Sequence, residues 1–126
     1  RETLDFMCGS MERNGIVPDA FRESIFLREG YSSTVFFRTF AVPHAMNFLA
    51  YETKIAVLIP STPINWETSD VSLVLLLAIN EGDYDDFVRF YQPLISVLYD
   101  RELFTELRSM SSYHEFMKFL DKQISM

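Results

Sequence analysis

Val71-Ser72-Leu73-Val74-Leu75-Leu76-Leu77-Ala78-Ile79 is aliphatic apart from one serine. A run this short is expected of a central strand covered on both faces, where neither side of the pleat needs polar residues. Upstream, Lys54 to Ile59 reads as a second such strand, and Pro60-Ser61-Thr62-Pro63 marks a turn between them. From Val35 to Val42 the residues are β-branched or aromatic with only Arg38 charged. That segment reads as extended chain packed on the core and stopped by Pro43.

Helical patterns flank these runs on both sides. Leu4, Met7, Cys8 and Met11 recur at helical spacing before Asn14-Gly15, where a glycine can take the left-handed conformation that ends a helix. Pro18-Asp19 opens a second helix, with Asp19 as N-cap and Phe21, Ile25 and Phe26 inward, ending near Arg28-Glu29-Gly30. Beyond Glu81-Gly82-Asp83, the residues Phe87, Phe90, Tyr91, Leu94, Val97 and Leu98 keep helical periodicity. Pro93 deletes one backbone donor there, so a kinked helix and a helix pair both fit. Glu102 to Arg108 reads as a short helix, and Ser112 with Glu115 has capping-box spacing for a last one that buries Phe116, Phe119 and Leu120. The fold class is therefore α/β: a single mixed sheet flanked by helices on both faces, with residues 1–126 as one domain.

Bulk properties narrow the function. With 126 residues, 48% of them apolar, the chain can bury a core without staples. Its one cysteine, Cys8, allows neither an internal disulfide nor a thiolate zinc site, which points to a reducing, cytoplasmic setting. No apolar run approaches the roughly 20 residues that span a bilayer, so no membrane role is expected. A formal charge of −7 with dispersed basic residues argues against direct nucleic-acid contact. The opening at Arg1, directly in helical pattern, suggests a domain excised from a longer protein.

Few residues offer chemistry. His44 follows an apolar extended run and Pro43, whose fixed φ and effect on Val42 would hold the imidazole in one direction. Loops just past strand ends are where sheets expose reactive side chains. The residues alone leave two readings open, a functional histidine and one merely satisfied by hydrogen bonds. His114 lies in the first turn of the capped last helix, where the macrodipole disfavours a cation, and reads as surface. Neither histidine has an acidic residue at ligand spacing, so no metal site is expected. A serine nucleophile at Ser32 or Ser33 would need a base that the sequence does not identify. No signature of a serine hydrolase, P-loop, dinucleotide fold or zinc protease is present. Asp83, Asp85 and Asp86 lack the later glutamate and glycine of a calcium loop and read as a solvated helix start. Phe36, Phe37 and Phe40 read as core filling, since no basic groove accompanies them. Trp66 fits either the core or the edge of a binding surface, and the core is expected.

Arg28-Glu29-Gly30-Tyr31-Ser32-Ser33-Thr34, followed by Ala41-Val42-Pro43-His44, resembles the signature of fructose/mannitol-type enzyme IIA domains of the sugar phosphotransferase system (PTS EIIA type 2). Lys54 to Leu58, Pro63-Ile64-Asn65-Trp66, Val71 to Ala78 and the closing helix with Glu115-Phe116 fall in that family's order, so the resemblance covers essentially the whole chain. The Pro63 to Trp66 block and the Phe87 to Leu94 run are similar to the IIA-like domains at the C-terminus of sugar-operon transcription regulators of the BglG/LicR/MtlR type, antiterminators among them. Those regulators carry duplicated phosphorylation-regulated domains (PRDs) upstream.

The resemblance implies that His44 accepts a phosphoryl group from the phosphocarrier HPr or exchanges it with a IIB domain. Arg28 and the hydroxyl of Ser33 or Thr34 would hold the phosphoryl oxygens, and no cofactor or metal would be needed. Further partners would be the other domains of a parent regulator. In transport-type relatives a glycine commonly follows the histidine and a second histidine assists. Here Ala45 follows, and residues 83–90 hold aspartates and no histidine, a departure that bears on onward transfer more than on acceptance. A transport-chain IIA component and an interaction module that is never phosphorylated are the other two readings.

Overall fold

The aliphatic run is shared between two sheets. In the computed structural model of the chain, which describes residues 2–31, 34–36, 39–66, 69–110 and 112–124, the run divides at Ser72. The strands are β1 (Val35–Phe36), β2 (Phe40–Ala41), β3 (Leu49–Leu58), β4 (Ile64–Trp66), β5 (Ser69–Val71) and β6 (Leu73–Asn80). The main sheet has the order β1-β2-β6-β3, and β4 pairs with β5 in a separate two-stranded sheet. β6 runs parallel to β2 and antiparallel to β3, so the main sheet is mixed. Val71, expected to begin the central strand, instead pairs with Ile64 in the smaller sheet. The extended run from Val35 also proves to be two strands, with Val35 opposite Ala41 and Phe36 opposite Phe40. Phe37 and Arg38 lie outside the described residues.

Every residue of β6 from Leu73 to Ala78 is buried, as an all-aliphatic strand requires. Val74, Leu76 and Ala78 join one cluster with Leu4, Met7, Cys8 and Met11 of α1 (Glu2–Arg13) and Phe21 and Ile25 of α2 (Ala20–Tyr31). The expected inward faces of both helices are thus the observed ones. α1 ends where the sequence indicates. Gly15 has φ 70°, its N–H reaches the Glu12 carbonyl at 3.1 Å, and the Ile16 N–H reaches Met11 at 3.0 Å. This pair of bonds satisfies carbonyls the helix itself leaves open. Arg22 ties α2 to α1 through Glu12 at 3.0 Å and Asp5 at 3.1 Å.

β3 is longer than its apolar core of residues 54–59 suggests. Its register against β6 shifts between Leu49 and Lys54. Asn80 spans the irregular stretch: its side-chain amide donates to the carbonyls of Ala50 (3.1 Å) and Tyr51 (3.3 Å), and its backbone N–H donates to the Thr53 hydroxyl (2.9 Å). Thr53 donates in turn to Asp83 at 2.7 Å, in the short 3-10 turn Glu81–Asp83. These bonds replace the ladder that a bulge interrupts.

The chain divides into two compact units, residues 1–84 and 85–126. Most of α3 (Tyr84–Tyr99) lies in the second unit, with α4 (Arg101–Arg108) and α5 (Tyr113–Ile124). Pro93 neither splits nor ends α3, which runs unbroken through it. The break comes at Asp100, whose side chain accepts from the Leu103 N–H at 3.1 Å and caps α4. α5 starts at the expected cap, with the Ser112 hydroxyl accepting from the Glu115 N–H at 3.1 Å. Phe116, Phe119 and Leu120 are buried and His114 is exposed, as the periodicity requires.

Candidate functional site

Parallel pairing carries the chain from β2 directly to His44. Ala41 sits opposite Val74, the Leu77 N–H donates to the Pro43 carbonyl at 3.0 Å, and His44 forms a single parallel bridge with Leu77. The backbone of the histidine is therefore fixed against the most buried strand of the fold while its side chain stays half-buried. Its Nδ1 lies 3.0 Å from the Val42 carbonyl oxygen. A carbonyl can only accept, so Nδ1 carries the hydrogen and Nε2 keeps a free lone pair.

Thr34 reaches the same strand by another route. Its carbonyl accepts the Val42 N–H at 3.1 Å, which places the 34–36 segment beside the residues leading to His44. Its side chain turns inward: Thr34 is 6% exposed, and its hydroxyl donates to Glu29 Oε1 in a short hydrogen bond. A hydroxyl has one proton to give. With its hydrogen directed at Glu29, the Thr34 hydroxyl offers none to a phosphoryl oxygen, unlike the role the sequence suggests for it. Ser33 lies outside the described residues.

Arg28 stands in the last turn of α2 and is half-buried. Four residues earlier on the same helix face, the Ser24 hydroxyl accepts from the Met46 N–H at 2.8 Å, two residues beyond His44. The face of α2 that bears Arg28 is thus the face that touches the 44–46 segment. His44 is thus held through β6, and the segment just beyond it touches α2 one helical turn before Arg28.

Glu29 is the residue that sequence reasoning passed over. It is 9% exposed, and both carboxyl oxygens have donors, the Thr34 hydroxyl on one and the Trp66 indole N–H on the other at 3.3 Å. An unserved buried acceptor would cost about 1–3 kcal/mol, so this pairing decides whether the carboxyl is tolerated there. A signal was present in the sequence, because Phe21, Ile25 and Glu29 are spaced by four and put an acidic residue on the apolar stripe of α2. Trp66 is 6% exposed, in the core as expected. His114 and the aspartates at 83, 85 and 86 stay exposed, and no cluster of His, Cys, Asp or Glu able to hold a metal occurs among the described residues.

A mixed sheet flanked by helices, with a half-buried histidine at the end of a parallel strand, makes this an α/β domain with a candidate reactive group held at the edge of its central strand. The model of the PTS EIIA 2 family, described as phosphoenolpyruvate-dependent sugar phosphotransferase system, EIIA 2, matches residues 1–123, and the chain belongs to that family. Among proteins, it is 29% identical over 123 residues to the "Probable licABCH operon regulator" of Bacillus subtilis (strain 168). That match takes in 98% of this chain and 19% of the regulator, so the chain spans about a fifth of the length of that relative. Among solved structures it is similar to the Escherichia coli mannitol enzyme IIA in complex with phosphorylated enzyme IIB (TM-score 0.77, 17% identity, 96% of this chain and 86% of that one). It is also similar to the crystal structure of the E. coli mannitol IIA (TM-score 0.74, 18% identity, 94% and 86%). These two likenesses establish the fold.

Proposed function

We propose that the chain is a phosphoryl-accepting regulatory domain, with Nε2 of His44 as the acceptor, and that it acts in the cytoplasm within a longer sugar-operon transcription regulator. The observation that carries the reading is the 3.0 Å approach of His44 Nδ1 to the Val42 carbonyl on a half-buried ring, which leaves one nitrogen as a nucleophile. The regulatory setting rests on the likeness to the B. subtilis operon regulator.

In the proposed step, the Nε2 lone pair attacks the phosphorus of a phosphohistidine on HPr or a phosphocysteine on a IIB protein. The new N–P bond forms as the donor's P–N or P–S bond breaks, and the leaving imidazole or thiolate keeps that electron pair. Nδ1 retains its hydrogen on the Val42 carbonyl, whose partial negative charge favours the positive charge that the ring acquires. Arg28 is the proposed partner for the phosphoryl oxygens, since a guanidinium fork matches them, and Ser33 is proposed to add a donor. Thr34 serves here by holding the adjoining strand rather than by touching phosphate. No metal or cofactor enters the step. The phosphoryl group then acts as a signal, adding charge that biases contact with the other domains of the regulator.

Incubation with enzyme I, HPr and phosphoenolpyruvate, followed by intact-mass measurement, tests the proposal. One phosphoryl group should add to the wild type and to His114→Ala, and none to His44→Ala. Labelling by a phosphorylated IIB protein but not by HPr would tie the signal to transporter state. A wild type that neither donor labels, beside a transport-type IIA that both label, would leave the interaction-module reading in its place.

A further inference from the structure

Three hydrogen bonds in series connect a buried carboxyl to the reacting imidazole. Glu29 accepts from the Thr34 hydroxyl, the Thr34 carbonyl accepts from the Val42 N–H at 3.1 Å, and the Val42 carbonyl accepts from the His44 Nδ1–H at 3.0 Å. Each intermediate residue is buried, Thr34 at 6% and Val42 at 1% exposure, so water does not compete for these bonds. The other Glu29 oxygen is held by the Trp66 indole, which fixes the carboxyl from the side of the small sheet. All of these residues lie within the first compact unit.

The burial of residue 29, taken without its partners, gives no reason for an acid at this position. Residue 29 continues the stripe of Phe21 and Ile25, and an apolar side chain there would avoid the desolvation of a carboxyl. What an apolar side chain cannot do is bind the Thr34 hydroxyl and the indole N–H together. Two donors converging on two carboxyl oxygens fix where Thr34 lies, and Thr34 fixes the Val42 peptide whose carbonyl selects the His44 tautomer.

We infer that Glu29 is a positioning residue for phosphorylation of His44, acting through Thr34 and Val42 to hold the imidazole as its Nδ1–H tautomer with Nε2 ready to attack. This rests on His44 being the phosphoacceptor, but the tautomer it specifies is measurable without any phosphoryl transfer. Glutamine should largely replace the acid, because its carbonyl can accept from the indole while its amide donates to the Thr34 oxygen. Alanine can do neither.

The test uses the chain labelled with 15N-histidine, in which His44 and His114 are the only two imidazoles, and compares wild type, Glu29→Ala, Glu29→Gln and Thr34→Val. Wild-type His44 should show protonated Nδ1 and unprotonated Nε2 at alkaline pH. In Glu29→Ala and Thr34→Val the two tautomers should mix. Phosphorylation at saturating HPr should slow about tenfold, the scale of a mispositioned reactive group, with the half-saturating HPr concentration unchanged. Glu29→Gln should restore most of both readouts. A Glu29→Ala protein that melts cooperatively yet keeps the wild-type tautomer and rate would overturn the inference. If Glu29→Ala does not fold, an unchanged tautomer and rate in Thr34→Val would overturn it equally. A wild type that accepts no phosphoryl group from HPr or IIB would refute the phosphoacceptor reading on its own, and the tautomer comparison would then decide the Glu29 link separately.

Discussion

Val42 offers His44 a carbonyl at 3.0 Å, and a neutral imidazole so held has one nitrogen left for chemistry. Sequence could indicate the histidine and its rigid approach through Pro43, but not this bond, because the bond depends on where the Val42 peptide points. Glu29 shows the same limit, since a spacing of four reveals a charge on a buried stripe without revealing its partners. Cys8 is a contrasting buried group. It is fully buried, and burial pushes its thiol up from 9.0 to about 11, with Arg22 opposing and Glu12 and Asp5 reinforcing the rise. At pH 8 the native thiolate fraction is then about a hundredfold below that of the unfolded chain, so a disulfide reagent should label native protein at least that much more slowly than denatured protein. The sign for stability follows from linkage. Between pH 9 and about 11 the unfolded thiol has lost its proton while the folded one retains it, so rising pH favours unfolding across that window. Urea denaturation at pH 8 and pH 10 should therefore show a smaller fall in stability for Cys8→Ala than for wild type. An equal fall in both would contradict the thiol's assigned burial.

Two glycines separate conformational from steric causes at the level of the helices. Gly15 ends α1 at φ 70° with open space where a Cβ would stand, so Gly15→Ala should cost about 1 kcal/mol through the left-handed backbone alone. Gly30 lies within α2 with equally open space and no positive φ, so Gly30→Ala should instead stabilise by about 0.5–1 kcal/mol. Chemical denaturation of both variants checks the pair, and effects of equal sign would be wrong for one helix end. The same elements show what periodicity can and cannot specify. α1, α2 and α5 were legible because the stripes of all three, and the caps of α1 and α5, are local. The strands were legible as extended chain but not in their pairing. Val35 to Val42 folds back on itself, Val71 leaves the central strand for Ile64, and β3 extends to Leu49 through a stretch organised by Asn80 from another strand. Pairing partners distant in the chain leave no mark on local alternation. At Pro93 a kinked single helix and a helix pair were both open, and α3 is a single helix through it.

At the scale of the whole chain, the residues proposed for phosphoryl acceptance all fall before Tyr84, inside the first unit, although the family match extends to residue 123. Net charge of −7 suits a signal read by protein domains better than direct contact with nucleic acid. The proposed phosphoacceptor, His44, would carry phosphate on Nε2 while Nδ1 stays hydrogen-bonded to the Val42 carbonyl. Long-range proton–nitrogen correlation of the 15N-histidine-labelled chain, recorded after phosphorylation by enzyme I, HPr and phosphoenolpyruvate, tests it most directly. The expected spectrum has a His44 ring with phosphorus-coupled Nε2 and a retained Nδ1 proton, alongside unchanged signals from His114. Phosphorus on Nδ1, phosphorus on His114, or an added phosphoryl mass that leaves both histidine rings unaltered would contradict it.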